Sequence, residues 1–259
     1  MVNIKVLGIS CSARHANTDI AVKWALDSAI QLPGVDADFI SMAGKTVYPC
    51  NSCYQCIDAE PDNPCPGIKD NDFREICLQM LDYDGLIMGS MVDFQQASAQ
   101  WHCLKARLMC LEFSKLGPGA LSNKAFGAIS IGGLLYGGQS TALQQMIMWA
   151  HQVDMHVVSC GSEVGTICGG YLGASGATCQ SAACARIFRG RGPVDHPSSQ
   201  RAKGLIREDE CCKLQCEYLG KRVVDMAKIT KADYSVVPRE ELYWAKGKIV
   251  GGWYKYGDK

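Results

Sequence analysis

Ile4-Lys5-Val6-Leu7-Gly8-Ile9-Ser10-Cys11-Ser12-Ala13-Arg14-His15-Ala16-Asn17-Thr18 decides the fold of this 259-residue chain. Ile4 to Ser10 is a short apolar run, the pattern of a parallel strand buried on both faces. It breaks into a polar turn, after which Ala21, Trp24, Ala25 and Ser28 form one face of a helix. That helix begins near Thr18 and stops before Pro33-Gly34, where the chain can no longer continue it.

The same alternation runs outward from this unit. Asp38 to Met42 is a second strand, and Phe73, Ile76, Cys77, Met80 and Leu81 keep helical spacing behind the capping group Asp70-Asn71-Asp72. Gly85 to Gly89 is a third strand, and Trp101, Leu104, Leu108 and Leu111 mark the helix that follows. Phe126 to Ile131 is a fourth, with a helix from about Ser140 to Gln152, and Met155 to Val158 is a fifth. Strands alternating with helices predict a flavodoxin-like α/β fold. Its five-stranded parallel sheet has the order 2-1-3-4-5, helices cover both faces, and ligands sit at the carboxyl ends of the strands.

From Cys160 to about Ile206 the periodicity is lost in a stretch of Gly, Ala, Ser and Cys, which predicts a long insertion before the last helix. That helix starts near Glu208 and carries Cys212, Cys216, Leu219, Val223 and Met226 on one stripe. With no repeat and no dividing linker, residues 1–259 are expected to form one domain. It comprises a cluster-binding loop at 47–69, the insertion at 160–206 and an aromatic tail at 240–259.

Between the second strand and its helix lies Cys50-Asn51-Ser52-Cys53-Tyr54-Gln55-Cys56, with Cys65 inside Pro64-Cys65-Pro66. Thiols at two-residue gaps, with another a short loop later, can converge on one point, as a cubic iron–sulfur cluster needs. Neighbouring cysteines in such a turn are poorly placed for disulfides with one another. A four-thiolate zinc site and unligated thiols are the other readings of the spacing. The chain has 15 cysteines, an odd number that excludes complete intrachain pairing, and they fit thiols and metal ligands in a reducing compartment. Cys77, Cys212 and Cys216 lie on apolar helical stripes and are expected to pack in the core, as are Cys103 and Cys110. Cys11 falls inside the turn after the first strand, where it can touch a ligand. Cys168, Cys179 and Cys184 fall in the insertion without metal-like grouping, beside Arg186, Arg189 and Arg191.

The turn after the first strand offers Ser10, Ser12, Arg14, Asn17 and Thr18 at the positive end of a helix dipole, as a phosphate site does without a Walker lysine. The alternative is a Ser/Asn turn that only caps the helix. The loop lacks G-x-G-x-x-G and G-x-x-x-x-G-K-[ST], which excludes the dinucleotide and P-loop readings. Two further loops belong to the same end of the sheet. One runs through Ser90, Met91, Val92, Asp93 and Phe94, and the other through Gly132, Gly133, Tyr136 and Gly137. Glycine pairs let backbone approach a flat ligand, so one phosphate loop and two ring-edge loops describe an FMN site.

These motifs resemble the iron–sulfur flavoprotein group within the NADPH-dependent FMN reductase superfamily. The resemblance rests on Gly8-Ile9-Ser10-Cys11-Ser12 with Asn17-Thr18, on Gly89-Ser90 with Ser98-Ala99-Gln100, and on Gly132-Gly133 with Gly137-Gly138-Gln139-Ser140-Thr141. The cysteine motif follows the second strand, as in that group. The resemblance implies FMN, a [4Fe–4S] cluster on Cys50, Cys53, Cys56 and Cys65, and an oligomer in which one subunit's cluster lies near another's flavin. A homodimer or homotetramer is expected. The chain departs from the group at Met91-Val92-Asp93, where Pro-Val-Tyr is usual, and at Gln95, where glycine is usual. Its gap between Cys56 and Cys65 is also longer than usual.

The function expected is an oxidoreductase that couples one-electron transfer through a cluster to two-electron flavin chemistry, with ferredoxin or NAD(P)H as donor. Asp93 and Tyr136 are the candidate catalytic residues. One alternative is a dedicated oxidoreductase with a small organic substrate under the insertion. Another is an oxygen- or redox-sensing regulator. The charge balance of 26 basic and 26 acidic residues excludes a phosphate-tracking nucleic-acid surface. No apolar stretch spans a bilayer, and Met1 leads straight into the first strand without a signal peptide, so a cytoplasmic protein is expected.

Overall fold

The computed structural model describes residues 3–133, 137–168, 170–177 and 205–232. Its through-path is five parallel strands in the order β2-β1-β3-β5-β6. In chain order these are β1 (Ile4–Cys11), β2 (Val35–Ser41), β3 (Gly85–Asp93), β5 (Ala125–Gly132) and β6 (His156–Val158). β1, β3 and β5 are buried along almost their whole length, so they are apolar without alternation, whereas the edge strand β2 alternates. The flavodoxin-like reading of the sequence therefore holds, with its strand order.

Two cores sandwich the sheet. On one face α1 (Asn17–Ala29) and the last helix, α7 (Glu210–Ala232), bury Ala21, Val22, Ala25, Leu219 and Val223 against Ile4, Val6 and Ile129. On the other, α2 (Asn71–Leu81), α3 (Ala99–Leu108) and α5 (Gln139–Gln152) bury Phe73, Ile76, Trp101, Leu104 and Met146 against Leu7, Ile9, Leu86 and Phe126. A short helix, α4 (Cys110–Phe113), follows α3. Cys77, Cys110, Cys212 and Cys216 are buried in these cores, as expected, and Cys103 is half-buried.

The structure corrects the sequence reading at two places. Among the described residues the strand count rises to seven: β4 (Gln96–Ala97) turns back antiparallel on β3, and β7 (Ala174–Ala177) pairs parallel with β5. The stretch after Cys160 is also not without structure, because α6 (Gly161–Cys168) and β7 lie inside it. β6 pairs with Ala125 to Gly127, and β7 takes over from Ile129 to Gly132, so one edge is built from two short strands. The period-2 pattern is missing from Ala174-Ser175-Gly176-Ala177 because small residues are required there. A Cβ on Gly176 would press on Cys212 and Ile206. Residues 178–204, with Cys179, Cys184, Arg186, Arg189 and Arg191, and the tail at 240–259 lie outside the described residues. Among the described residues no helix is long and apolar enough to cross a membrane.

α1 and α7 approach closely at Gly220, where an added Cβ would collide with the Ala25 carbonyl oxygen. Backbone cannot yield as a flexible side chain can. Gly220→Ala should therefore destabilise the fold by about 1–3 kcal/mol, read as a lower midpoint in chemical denaturation.

Candidate functional site

Register brings the loops level. Ser10 pairs with Gly89, Cys11 with Ser90, and Ser90 with Ser130, so β1, β3 and β5 end together where the strand order reverses. The sequence places a polar loop after each of them.

At the end of β1, Ser10 is fully buried and its hydroxyl has no hydrogen-bond partner among the described residues. Ser12 is buried too, its Oγ donating to the Arg14 carbonyl at 3.0 Å, while Arg14 itself is exposed. The N-cap of α1 is Ala16, with no side-chain cap. By contrast, Asp70 Oδ1 caps α2 by accepting from Phe73 N at 3.2 Å, and Ser98 Oγ caps α3. The N-cap residue of α1 thus supplies no side-chain cap. Asn17 instead faces Ile206, whose N–H donates to Asn17 Oδ1 at 3.3 Å. Thr18 is buried against the position of Gly89. Asp19, in the first turn, is held by His15 Nδ1 at 3.0 Å and by Ser41 Oγ at 3.2 Å. Cys11 points into the opposite core with Leu7 and Ile9, away from the loop; burial pushes its thiol pKa up.

The second loop is knitted to the first. Ser90 Oγ donates to the Met91 carbonyl at 2.9 Å and accepts from Ser98 N at 2.9 Å, and Ser98 Oγ donates to the Cys11 carbonyl at 2.6 Å. Ser90 is thus a builder of the loop, fully buried. Met91 and Val92 are half-buried, and the Met91 sulfur lies 3.9 Å from Ser12 Oγ. Asp93 pairs with Gln96 at the base of a two-residue hairpin turn, whose residues Phe94 and Gln95 both have positive φ (44° and 66°). Such a turn normally takes Asn or Gly, so the backbone is strained here. The Phe94 side chain is 94% exposed at the tip.

The third loop meets the second. Gly138, at φ 113°, packs directly on the Gln95 backbone, which leaves no room for a Cβ. Gly132 is buried, Gly133 exposed and Gly137 half-buried; Tyr136 lies outside the described residues. Ser130, two residues before Gly132, was not among the expected site residues. Its hydroxyl is buried without a partner among the described residues, like that of Ser10.

The cysteine loop is shaped by three left-handed residues, Ser52, Tyr54 and Asp58, between and after its thiols. Backbone N–H of Ser52 donates to Cys50 Sγ at 3.4 Å, and Gly67 lies against Cys53 Sγ. Burial raises the Cys56 thiol pKa, its own backbone hydrogen bond opposes this, and repulsion from Cys65, Cys50 and Cys53 adds to the rise. Those four sulfurs are therefore electrostatic neighbours. Cys65 is pushed up first by a hydrogen bond with Cys110 and then by burial, with Arg107 opposing. Among the described residues no group of three or more His, Cys, Asp or Glu side chains is drawn together as a single metal ion requires. A zinc ion needs every sulfur about 2.3 Å from one point, whereas a cubic cluster spreads its thiolates over separate irons.

Residues 4–165 match the model of the NADPH-dependent FMN reductase family. An iron–sulfur flavoprotein of Methanocaldococcus jannaschii is 40% identical over 144 residues, covering 55% of this chain and 69% of that protein. Another, from Methanosarcina thermophila, is 32% identical over 165 residues, covering 63% of this chain and 82% of the relative. The chain belongs to the iron–sulfur flavoprotein group of the NADPH-dependent FMN reductase family. It is accordingly a flavin-dependent oxidoreductase. Among solved structures, RosB with a bound flavin intermediate superposes with a TM-score of 0.57 at 11% identity, covering 95% of this chain and 87% of that one. A flavone reductase gives 0.53 at 16% identity, covering 88% and 64%. At these identities the likeness is one of fold.

In this flavoprotein the residue that sequence reasoning missed at the cysteine loop is Arg107. It sits near the end of α3 with its side chain 1% exposed and stacks over the Phe73 ring at 4.0 Å. Its guanidinium donates to the Cys65 sulfur at 3.2 Å, to the Tyr48 carbonyl at 3.4 Å and to the Asp70 carboxylate at 2.5 Å. One planar fork thus joins the chain before the thiols, the last thiol and the cap of α2. The only trace in the sequence is a lone arginine on a helix whose other spaced residues are apolar. Arg107→Met should cost about 3–5 kcal/mol in denaturant unfolding, because Asp70 stays buried without its counter-charge. Arg107→Lys should recover only part of that loss, since an ammonium cannot reach all three acceptors.

Proposed function

We propose that the chain holds FMN at the ends of β1, β3 and β5 and a [4Fe–4S] cluster on Cys50, Cys53, Cys56 and Cys65. In this reading it exchanges electrons between a one-electron donor such as ferredoxin, or NAD(P)H, and flavin chemistry. The observation that carries the flavin part is the hydroxyl of buried Ser10, unpartnered among the described residues, beside a helix start whose N-cap residue, Ala16, supplies no side-chain cap. A buried hydroxyl without a partner costs about 1–3 kcal/mol, which a phosphate at the start of α1 would recover. Ser12, Arg14 and Thr18 flank that position, and Met91–Phe94 with Gly132, Gly133 and Gly137 would border the ring. The cluster part is supported by the soft donor set of the cysteine loop and by the names of the relatives. When bound, the cluster would pass electrons singly and FMN would take or give them singly or in pairs.

The cysteine loop is fastened to the far end of α3, at Arg107, whereas the flavin loops are fastened to its start, at Ser98. Nine residues of helix put about 14 Å between those anchors. That separation supports a homo-oligomer in which the cysteine loop of one subunit serves the flavin of another. Phe94, exposed at the rim of the flavin loops, supplies apolar surface there.

Replacing Cys50, Cys53, Cys56 or Cys65 with Ala should lower iron and sulfide content and bleach the broad visible band under anaerobic conditions, with FMN content unchanged. Full iron in any of these variants removes that residue from the ligand set.

Ser12→Asp sets a negative charge against the phosphate and should weaken FMN binding at least about tenfold, close to 1.4 kcal/mol. A mixed oligomer of Ser12→Asp with Cys53→Ala subunits should keep rapid reduction of flavin by the cluster at its one intact interface. If each subunit uses its own pair, stopped-flow reduction of that hybrid will show none.

A further inference from the structure

Arg107 does more at the cysteine loop than a buried counter-charge requires. One terminal nitrogen of its guanidinium is held by the Asp70 carboxylate at 2.5 Å and the Tyr48 carbonyl at 3.4 Å, and the group stacks 4.0 Å from the centre of the Phe73 ring. Asp70 is itself fixed, because its carboxylate accepts from Phe73 N at 3.2 Å and from Tyr48 N at 3.1 Å. With one nitrogen tethered and the plane stacked, the rigid fork is left with one orientation. In it, Nε–H donates to the Cys65 sulfur at 3.2 Å. The Arg107 side chain is 1% exposed, so this bond is made out of water, where a charge-assisted hydrogen bond is strong.

The sequence explains why a side chain serves this sulfur. Elsewhere in the loop a backbone amide does so: Ser52 N donates to Cys50 Sγ, two residues back, at 3.4 Å. Cys65 lies between Pro64 and Pro66, so the residue after it has no N–H to give. Two residues on, Gly67 packs against a different thiol, close enough that a Cβ there would press on the Cys53 sulfur. The donor to Cys65 comes instead from α3, 42 positions away in the chain.

We propose that Arg107 is a positioning residue for electron transfer, whose Nε–H holds the Cys65 thiolate and raises the reduction potential at the [4Fe–4S] site. The proposal rests on the reading that Cys65 is a cluster ligand. One electron arriving from a one-electron donor such as ferredoxin adds negative charge to the ligand sulfurs. A cationic N–H aimed at one of them stabilises the reduced state more than the oxidised one. No bond is made or broken and no proton moves, because a guanidinium keeps its protons in proteins. Asp70 offsets the charge of Arg107 at a distance, so the effect at the sulfur is that of the directed N–H.

The test uses the full-length holoprotein, kept anaerobic and reduced with excess dithionite so that FMN is fully reduced. Protein made with arginine carrying nitrogen-15 only at Nε should show a nitrogen-15 coupling to the cluster signal in pulsed EPR. Arg74→Lys, which removes the arginine bound to Asp62, should keep that coupling. In Arg107→Lys the coupling should vanish, and the one-electron equilibrium should move at least tenfold toward the oxidised form, a midpoint about 59 mV lower. Arg107→Gln, which removes the charge as well, should lower the midpoint at least as far. Cys65→Ala that keeps all its iron ends both the reading and the proposal. If Cys65→Ala loses iron but the labelled protein shows no coupling, or the loaded Arg107 variants keep the parent midpoint, the reading stands and the proposal is overturned. Loss of the cluster from both Arg107 variants makes Arg107 a structural residue only, and overturns it too.

Discussion

The register of β1, β3 and β5 is the constraint on which the site depends. Ser10 opposite Gly89, and Ser90 opposite Ser130, bring three strand ends to one level. Parallel strands must be joined by crossovers, so every loop that leaves a carboxyl end emerges on the same rim. A slip of one residue would turn Ser10 to the other face and break the Ser90–Ser98–Cys11 hydrogen bonds that tie the second loop to the first. The register is secured by apolar burial on both faces, which leaves each strand with one arrangement that hides its side chains.

The cysteine loop obeys a different logic. It has no sheet partner, and its backbone takes left-handed turns that would be strained in isolation. What holds it is charge. The buried Arg107–Asp70 pair is costly to desolvate, yet it is completed by hydrogen bonds to Tyr48 and Cys65 and by the Phe73 ring. A guanidinium suits this place because its donors fan out in one plane, so a single side chain can fasten segments that are far apart in sequence. Lys115, bound to Glu60 and with its backbone N–H on the Ala59 carbonyl, adds a second, exposed fastening.

Short-range physics accounts for what was legible. Buried strands show as apolar runs, helices as 3.6-residue stripes and thiol pairs as two-residue gaps, so the strand order, the helices on both faces and the cysteine loop could be read directly. β7 escaped because Ala174-Ser175-Gly176-Ala177 must be small to fit between β5 and α7, and small residues carry no period. β4 escaped because two residues are too few for a pattern. Ser90 also braces its own loop, and Asn17 also accepts from Ile206 N, contacts that no local pattern announces.

The residue sequence by itself determined the class of fold, the polar loops at the strand ends and the thiol donor set, since each follows from residue types a few positions apart. Only the tertiary structure decided which groups remain unpartnered, such as the hydroxyls of Ser10 and Ser130, and which distant side chain fastens the cysteine loop. Those are questions of who stands next to whom after the chain has folded. The answers depend on contacts between residues dozens of positions apart, which no local pattern encodes.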